Sequence, residues 1–347
     1  MSGKETTWSA GASRLRILAS LAIVALHTMN VSEILYRDRI SEKADWLSLL
    51  IVYLLMWAVP VFVMVSGALL LDPEREIGIP KIFGRYVLRV FLALLLFVLL
   101  YRTFDGLMDP EKDAGPAAIF SDGFRLLFTG GSWSHLWYLY LLIGLYLLLP
   151  AYRAVAKHCE KPVFVYLMAV GFVFLSLLTL TGIWDVTSAF HIQIPAVYTL
   201  YFFLGYGIAS EKFKLGRGAG FLLFLAGVLL TVFLSAAQFA TKNKGMTEIL
   251  SSYSSPAVVL QSAGLFALLW PSKAKEKEGK FLRSLDATTF GIYLVHLILL
   301  RLVLRYAGFD PYAAGAWSFA VLIVLCFAAS ALITAILRLI PGMKRIL

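Results

Sequence analysis

The chain has 347 residues, of which 60% are hydrophobic and only 15% charged, with a mean hydropathy of +0.81. So little polar surface excludes a water-soluble globular protein. The net charge of +10 would suggest a nucleic-acid partner in a soluble chain. Here the basic residues stand in short segments between apolar runs, where they read as a topology signal and as attraction to anionic membrane lipid, with no nucleic acid implied.

Irregular backbone cannot face lipid, so a chain this apolar spans a bilayer as helices or as a closed barrel. Barrel strands alternate polar and apolar residues, whereas the apolar runs here are continuous. A hydrocarbon core of about 30 Å takes roughly 20 residues of helix. Runs of that kind fall at 16–35, 46–71, 84–104, 133–152, 162–182, 191–209, 218–237, 252–271, 286–306 and 312–338. The sequence therefore predicts an all-α polytopic membrane protein of about ten transmembrane helices.

With the N-terminus inside, the cytoplasmic segments hold 21 of the 31 Lys and Arg residues, among them Arg14, Arg16, Lys81, Arg85, Arg89, Arg153, Lys344 and the run from Lys273 to Arg283. The acidic residues split nine inside to twelve outside. The positive excess thus predicts that both ends are cytoplasmic. Arg14 and Arg16 precede an apolar run that no small-x-small cleavage site closes, so this run reads as the first membrane helix rather than a secretory signal. Cys159 in a cytoplasmic loop and Cys326 in the last span have no disulfide or metal-site spacing, and no metal is expected. The longest stretch outside the membrane is the external loop 105–132, too short for an ordinary domain. The reading is one membrane domain over 1–347, with a loop that could form a lid over its outer face.

Ionisable groups within spans are costly and are by default candidates for function. In the first span Arg16 and His27 lie eleven positions apart, close to a whole number of turns and a rise of about 16 Å. They share one helical face, with a cation at the cytoplasmic surface and an imidazole about half-way through the membrane. Taken alone, Arg16 also reads as a positive-inside anchor and His27 as a hydrogen-bonded packing residue; the depth of His27 favours function. In the third span Arg85 and Arg89, at i and i+4, present two guanidinium groups on one face, a pattern suited to phosphate or pyrophosphate, with anchoring to lipid phosphates as the rival reading.

Near the outer end of the fourth span stand His135, Trp137 and Tyr138, where the aromatic residues equally fit an interfacial belt. The ninth span places Tyr293 and His296 near the depth of His27, which makes a shared cavity plausible. Arg301 and Arg305 near its external end read as headgroup anchors, and His158 and His191 as solvated. No Asp or Glu falls deep within a span, Glu33 and Asp286 lying only at span ends, which counts against ion-coupled transport. There is no GxSxG, HExxH or Walker motif for hydrolase, zinc protease or ATPase chemistry.

Five elements in order carry a family resemblance: Arg16-x10-His27; Pro60-Val61-Phe62-Val63-Met64-Val65-Ser66-Gly67; Arg85-x3-Arg89; His135-Leu136-Trp137-Tyr138 to Pro150; and Gly291-Ile292-Tyr293 to His296. Over nearly its whole length the chain resembles the bacterial acyltransferase family 3, membrane enzymes that O-acylate surface glycans and lipid-linked sugars. The resemblance implies an acyl-coenzyme A donor, acetyl-CoA above all. It also implies His27 as the catalytic residue and Arg16, Arg85 and Arg89 near the donor's phosphates. A glycan or lipid-linked sugar acceptor would lie near His135, Trp137, Tyr138, Tyr293 and His296, and the protein would sit in the bacterial inner membrane. Many members carry an aspartate three residues before the first-helix arginine, where this chain has Ser13. A transporter of lipid-linked sugars and a catalytically inert relative acting as a scaffold or sensor are the alternative readings.

Overall fold

A computed structural model describes residues 9–109, 115–184, 196–270 and 279–347. His191, Glu111 and Asp113 of the external loop, and the part 273–278 of the basic run lie outside them. Among the described residues every regular element is a helix. Seven helices are long and apolar enough to cross a membrane: Ala10–Arg39, Glu42–Leu70, Ile79–Met108, Lys161–Trp184, Arg217–Thr241, Thr289–Tyr306 and Trp317–Leu337. The pair Ser134–Leu147 and Leu149–His158, bent by 55°, makes an eighth if it is one span.

The two other expected spans, at 191–209 and 252–271, are shorter apolar helices, Val197–Ala209 and Pro256–Leu269. The second is short because the apolar run is preceded by the polar stretch Ser251-Ser252-Tyr253-Ser254-Ser255, and Pro256 sets the first turn of the helix. Fourteen residues rise only about 21 Å, less than a hydrocarbon core.

The chain divides into two compact units: Met1–Asp72 with Val155–Ala331, and Pro73–Ala154 with Leu332–Leu347. In the first unit the helix Ser9–Tyr36 packs on Glu42–Leu55, Ala58–Leu70, Lys280–Asp286 and Thr289–Arg301. Ser41 caps Glu42–Leu55 by accepting a side-chain hydrogen bond from the Ala44 amide. That helix breaks at Met56 and Trp57 because Pro60 lacks an N–H and its ring excludes the carbonyl of Met56 from continuing the ladder. The chain resumes as Ala58–Leu70, which meets Ala196–Ala209 backbone to backbone. A Cβ on Gly67 would stand 1.8 Å from the Phe202 carbonyl oxygen, and one on Gly205 2.0 Å from that of Met64. Small residues let membrane helices approach this closely and gain dispersion contact that lipid tails do not offer. The Pro60–Gly67 stretch singled out in the sequence therefore has a packing role.

In the second unit the span Ile79–Met108 contains one widened turn, Ile82–Val87, where the Leu88 amide bonds to the Phe83 carbonyl five residues back. Much of the external loop is helical. The span helix runs on to Met108, and Pro116–Thr129 forms a further helix that ends at Gly130, whose φ of 67° is the left-handed conformation of a helix stop. This helix packs on Leu88–Met108, pinned by the buried Arg102, whose Nε and Nη2 both donate to Oδ2 of Asp122, at 3.1 and 2.9 Å. Its opposite face carries Phe120, Phe124 and Phe128, all exposed.

Candidate functional site

In the first unit, the face of Ser9–Tyr36 that meets the helices Lys280–Asp286 and Thr289–Arg301 carries the polar groups. At one end Arg16 donates to Asp286 through Nε at 2.7 Å and Nη2 at 2.6 Å, a bidentate pair between side chains 27% and 16% exposed. One turn on, Ser20 donates to the Arg16 carbonyl at 2.8 Å. About 16 Å of helix rise beyond Arg16, the Nδ1 of His27 lies 2.9 Å from the Nε2 of His296, the rings 5.0 Å apart by centroid. His296 is fully buried, its Nδ1 is 3.0 Å from the Ile292 carbonyl, and Tyr293 packs beside it with ring centroids 6.2 Å apart. Thus Arg16, His27, Tyr293 and His296 fall in one unit, along one pair of helix faces, with an ion pair at one end and a histidine pair further along.

Arg85 and Arg89 belong to the second unit. Arg85 is exposed and lies on the widened turn. Arg89 donates through Nε to the Ile346 carbonyl at 3.2 Å and through Nη2 to that of Leu347 at 2.8 Å, which Arg338 also contacts at 3.1 Å. One edge of its guanidinium fork is therefore engaged by backbone, as one edge of Arg16 is engaged by Asp286. His135 is buried, with Nε2 2.9 Å from the Tyr101 hydroxyl. Tyr101 in turn stacks on Trp133 with centroids 4.2 Å apart and planes within 2° of parallel. Trp133 donates to Asp105. Tyr138 is buried and Trp137 half-buried, their rings 6.1 Å apart. Among the described residues no three His, Cys, Asp or Glu side chains group as metal ligands.

Sequence reasoning missed Asp286 as a partner of Arg16. The available signal was depth: both stand at the ends of spans on the same expected side, with opposite charge. It also missed Tyr101 and Trp133, which stood within the apolar runs of the third and fourth expected spans. Glu33, expected only at a span end, is buried and paired with Arg37 on the same helix.

The chain is thus a multi-pass helical membrane protein in which one helix carries a histidine pair and, about three turns away, an arginine–carboxylate pair. The chain matches the family model described as an acyltransferase domain over residues 12–337. It belongs to that family, acyltransferase family 3, and is a membrane acyltransferase by membership. No curated protein and no solved structure matches the chain.

Proposed function

We propose that the protein moves an acyl group, acetyl above all, from acyl-coenzyme A to a hydroxyl of a cell-surface glycan or lipid-linked sugar in the bacterial inner membrane, with both chain ends in the cytoplasm and His27 as general base. The observation that carries this reading is the His27–His296 contact at 2.9 Å inside a chain of the acyltransferase family. Arg16 in the first unit and Arg85 and Arg89 in the second each carry a guanidinium fork that suits the donor's phosphates, the role the family resemblance implies for them. The extended thioester arm would then run the roughly 16 Å from Arg16 to His27.

The acceptor oxygen attacks the thioester carbonyl, its proton passes to His27, the carbon–sulfur bond breaks, and the proton returns to the departing thiolate. A neutral imidazole suits this exchange because its ordinary affinity for protons lies near physiological pH. Asp286 supplies Arg16 with the carboxylate that Ser13 does not, and so orients the guanidinium. His135, Trp137 and Tyr138 support the acceptor region, where aromatic faces suit sugar rings. The His-Leu-Trp-Tyr pattern is similar to that of the inner-membrane O-acetyltransferase of enterobacterial common antigen assembly, which makes a lipid-linked amino-sugar chain the first acceptor to try.

The test is turnover of radiolabelled acetyl-coenzyme A by purified protein in nanodiscs, with donor binding measured in parallel. Wild type is expected to consume donor. His27→Ala should bind donor without turnover, and Arg85→Ala/Arg89→Ala should lose binding. A wild-type protein that neither binds nor consumes acetyl or longer acyl donors overturns the reading and turns attention to transport of lipid-linked sugars.

A further inference from the structure

The protons of the histidine pair can be placed from geometry. Nδ1 of His296 lies 3.0 Å from the backbone carbonyl of Ile292. A carbonyl oxygen only accepts, so Nδ1 of His296 carries the hydrogen. A neutral imidazole has one such hydrogen, which leaves a lone pair on Nε2 of His296. That Nε2 is 2.9 Å from Nδ1 of His27, and the hydrogen between them must then belong to His27. The hydrogen of His27 is therefore on Nδ1 and its lone pair on Nε2. A bilayer interior disfavours a charged ring, so the neutral pair is the ground arrangement.

On the reading of His27 as general base, we propose that His296 is a positioning residue that selects the tautomer and ring orientation of His27. The relay runs from the Ile292 carbonyl to Nδ1–H of His296, and from Nε2 of His296 to Nδ1–H of His27, presenting Nε2 of His27 to the acceptor hydroxyl. When that hydroxyl's oxygen bonds to the thioester carbon, its proton moves to Nε2 of His27, and the Nδ1 proton of His27 shifts toward Nε2 of His296. Both return as the carbon–sulfur bond breaks and the thiolate takes up the acceptor's proton. A base oriented by a third group is the logic of hydrolytic triads. Here the third group is a neutral imidazole, which is cheaper to keep in a membrane interior than a carboxylate.

The experiment compares wild type, His27→Ala, His296→Leu and His296→Gln in nanodiscs by donor affinity, kcat, pH–rate profile and 15N NMR of histidine-labelled protein. The His27 signal is assigned by its loss in His27→Ala. His296→Leu keeps the volume and removes the acceptor, whereas the glutamine carbonyl accepts from Nδ1–H as the imidazole does. The expected result is a fall in kcat of about 100-fold for His296→Leu with donor affinity unchanged, recovery of most of that loss in His296→Gln, and a hydrogen on Nδ1 of His27 in wild type and His296→Gln but mixed tautomers in His296→Leu. Wild-type kcat in His296→Leu, or a His27 hydrogen found on Nε2 in wild type, overturns the relay while leaving His27 as base. A wild type that turns over no acyl donor overturns the general-base reading instead, and the NMR result then decides the tautomer by itself.

Discussion

If Asp286 holds Arg16, the two side chains must be energetically coupled. Two charge-assisted hydrogen bonds at 2.6 and 2.7 Å join them, and such a bond contributes about 1.5–3 kcal/mol net. With the partners 27% and 16% exposed, water competes for both groups, so we discount the pair to about 2 kcal/mol in total, well below a fully buried pair. In a double-mutant cycle of Arg16→Ala, Asp286→Ala and the double variant, the double should recover about 2 kcal/mol relative to the sum of the singles. If the pair serves the reaction, that coupling appears in kcat/KM as about thirty-fold, read by acyl-coenzyme A turnover in nanodiscs, with thermal unfolding of all four proteins as the control for stability. Single variants whose effects add to within about 0.5 kcal/mol in both assays would refute the coupling, and with it the assignment of Asp286 as the carboxylate that orients Arg16.

Two further outcomes follow from packing and orientation. Gly67→Ala places a methyl 1.8 Å from the Phe202 carbonyl oxygen, so the two helices must separate; a loss of about 1–3 kcal/mol should lower the thermal unfolding midpoint, and an unchanged midpoint would show that the contact is not tight. Cys159 is half-buried and Cys326 buried, both as free thiols, so a membrane-impermeant maleimide should label Cys159 in inverted vesicles and not in intact cells, with Cys326 silent in both; labelling of Cys159 from outside the cell reverses the orientation.

The membrane class, the helical fold and most of the spans were legible in the sequence because hydropathy is a one-dimensional property: a helix long enough to cross lipid must be written as a continuous apolar run. Depth was legible for the same reason. A fixed rise of about 1.5 Å per residue predicted His27 and His296 at one level along their helices, and the two rings meet at 2.9 Å. Helix length was misjudged where polar residues abut a proline, as at Ser251–Pro256, since window averages run across the stop.

Which groups touch which was decided only by tertiary structure. Arg16 meets Asp286 across 270 positions and His27 meets His296 across 269. Such partners depend on which helices are neighbours and on how each is rotated about its axis. In a membrane that rotation follows from close contacts such as Gly67 on Phe202, and hydrophobicity does not specify it, since lipid tails are as apolar as the side chains they would replace. The arginines show the same limit. Spacing alone put Arg85 and Arg89 on one helical face, but the engagement of Arg89 by the Ile346 and Leu347 carbonyls, and of Arg16 by a carboxylate, came from the packed fold, because a guanidinium in a partly buried position takes whatever acceptor the neighbouring helix brings within hydrogen-bond reach.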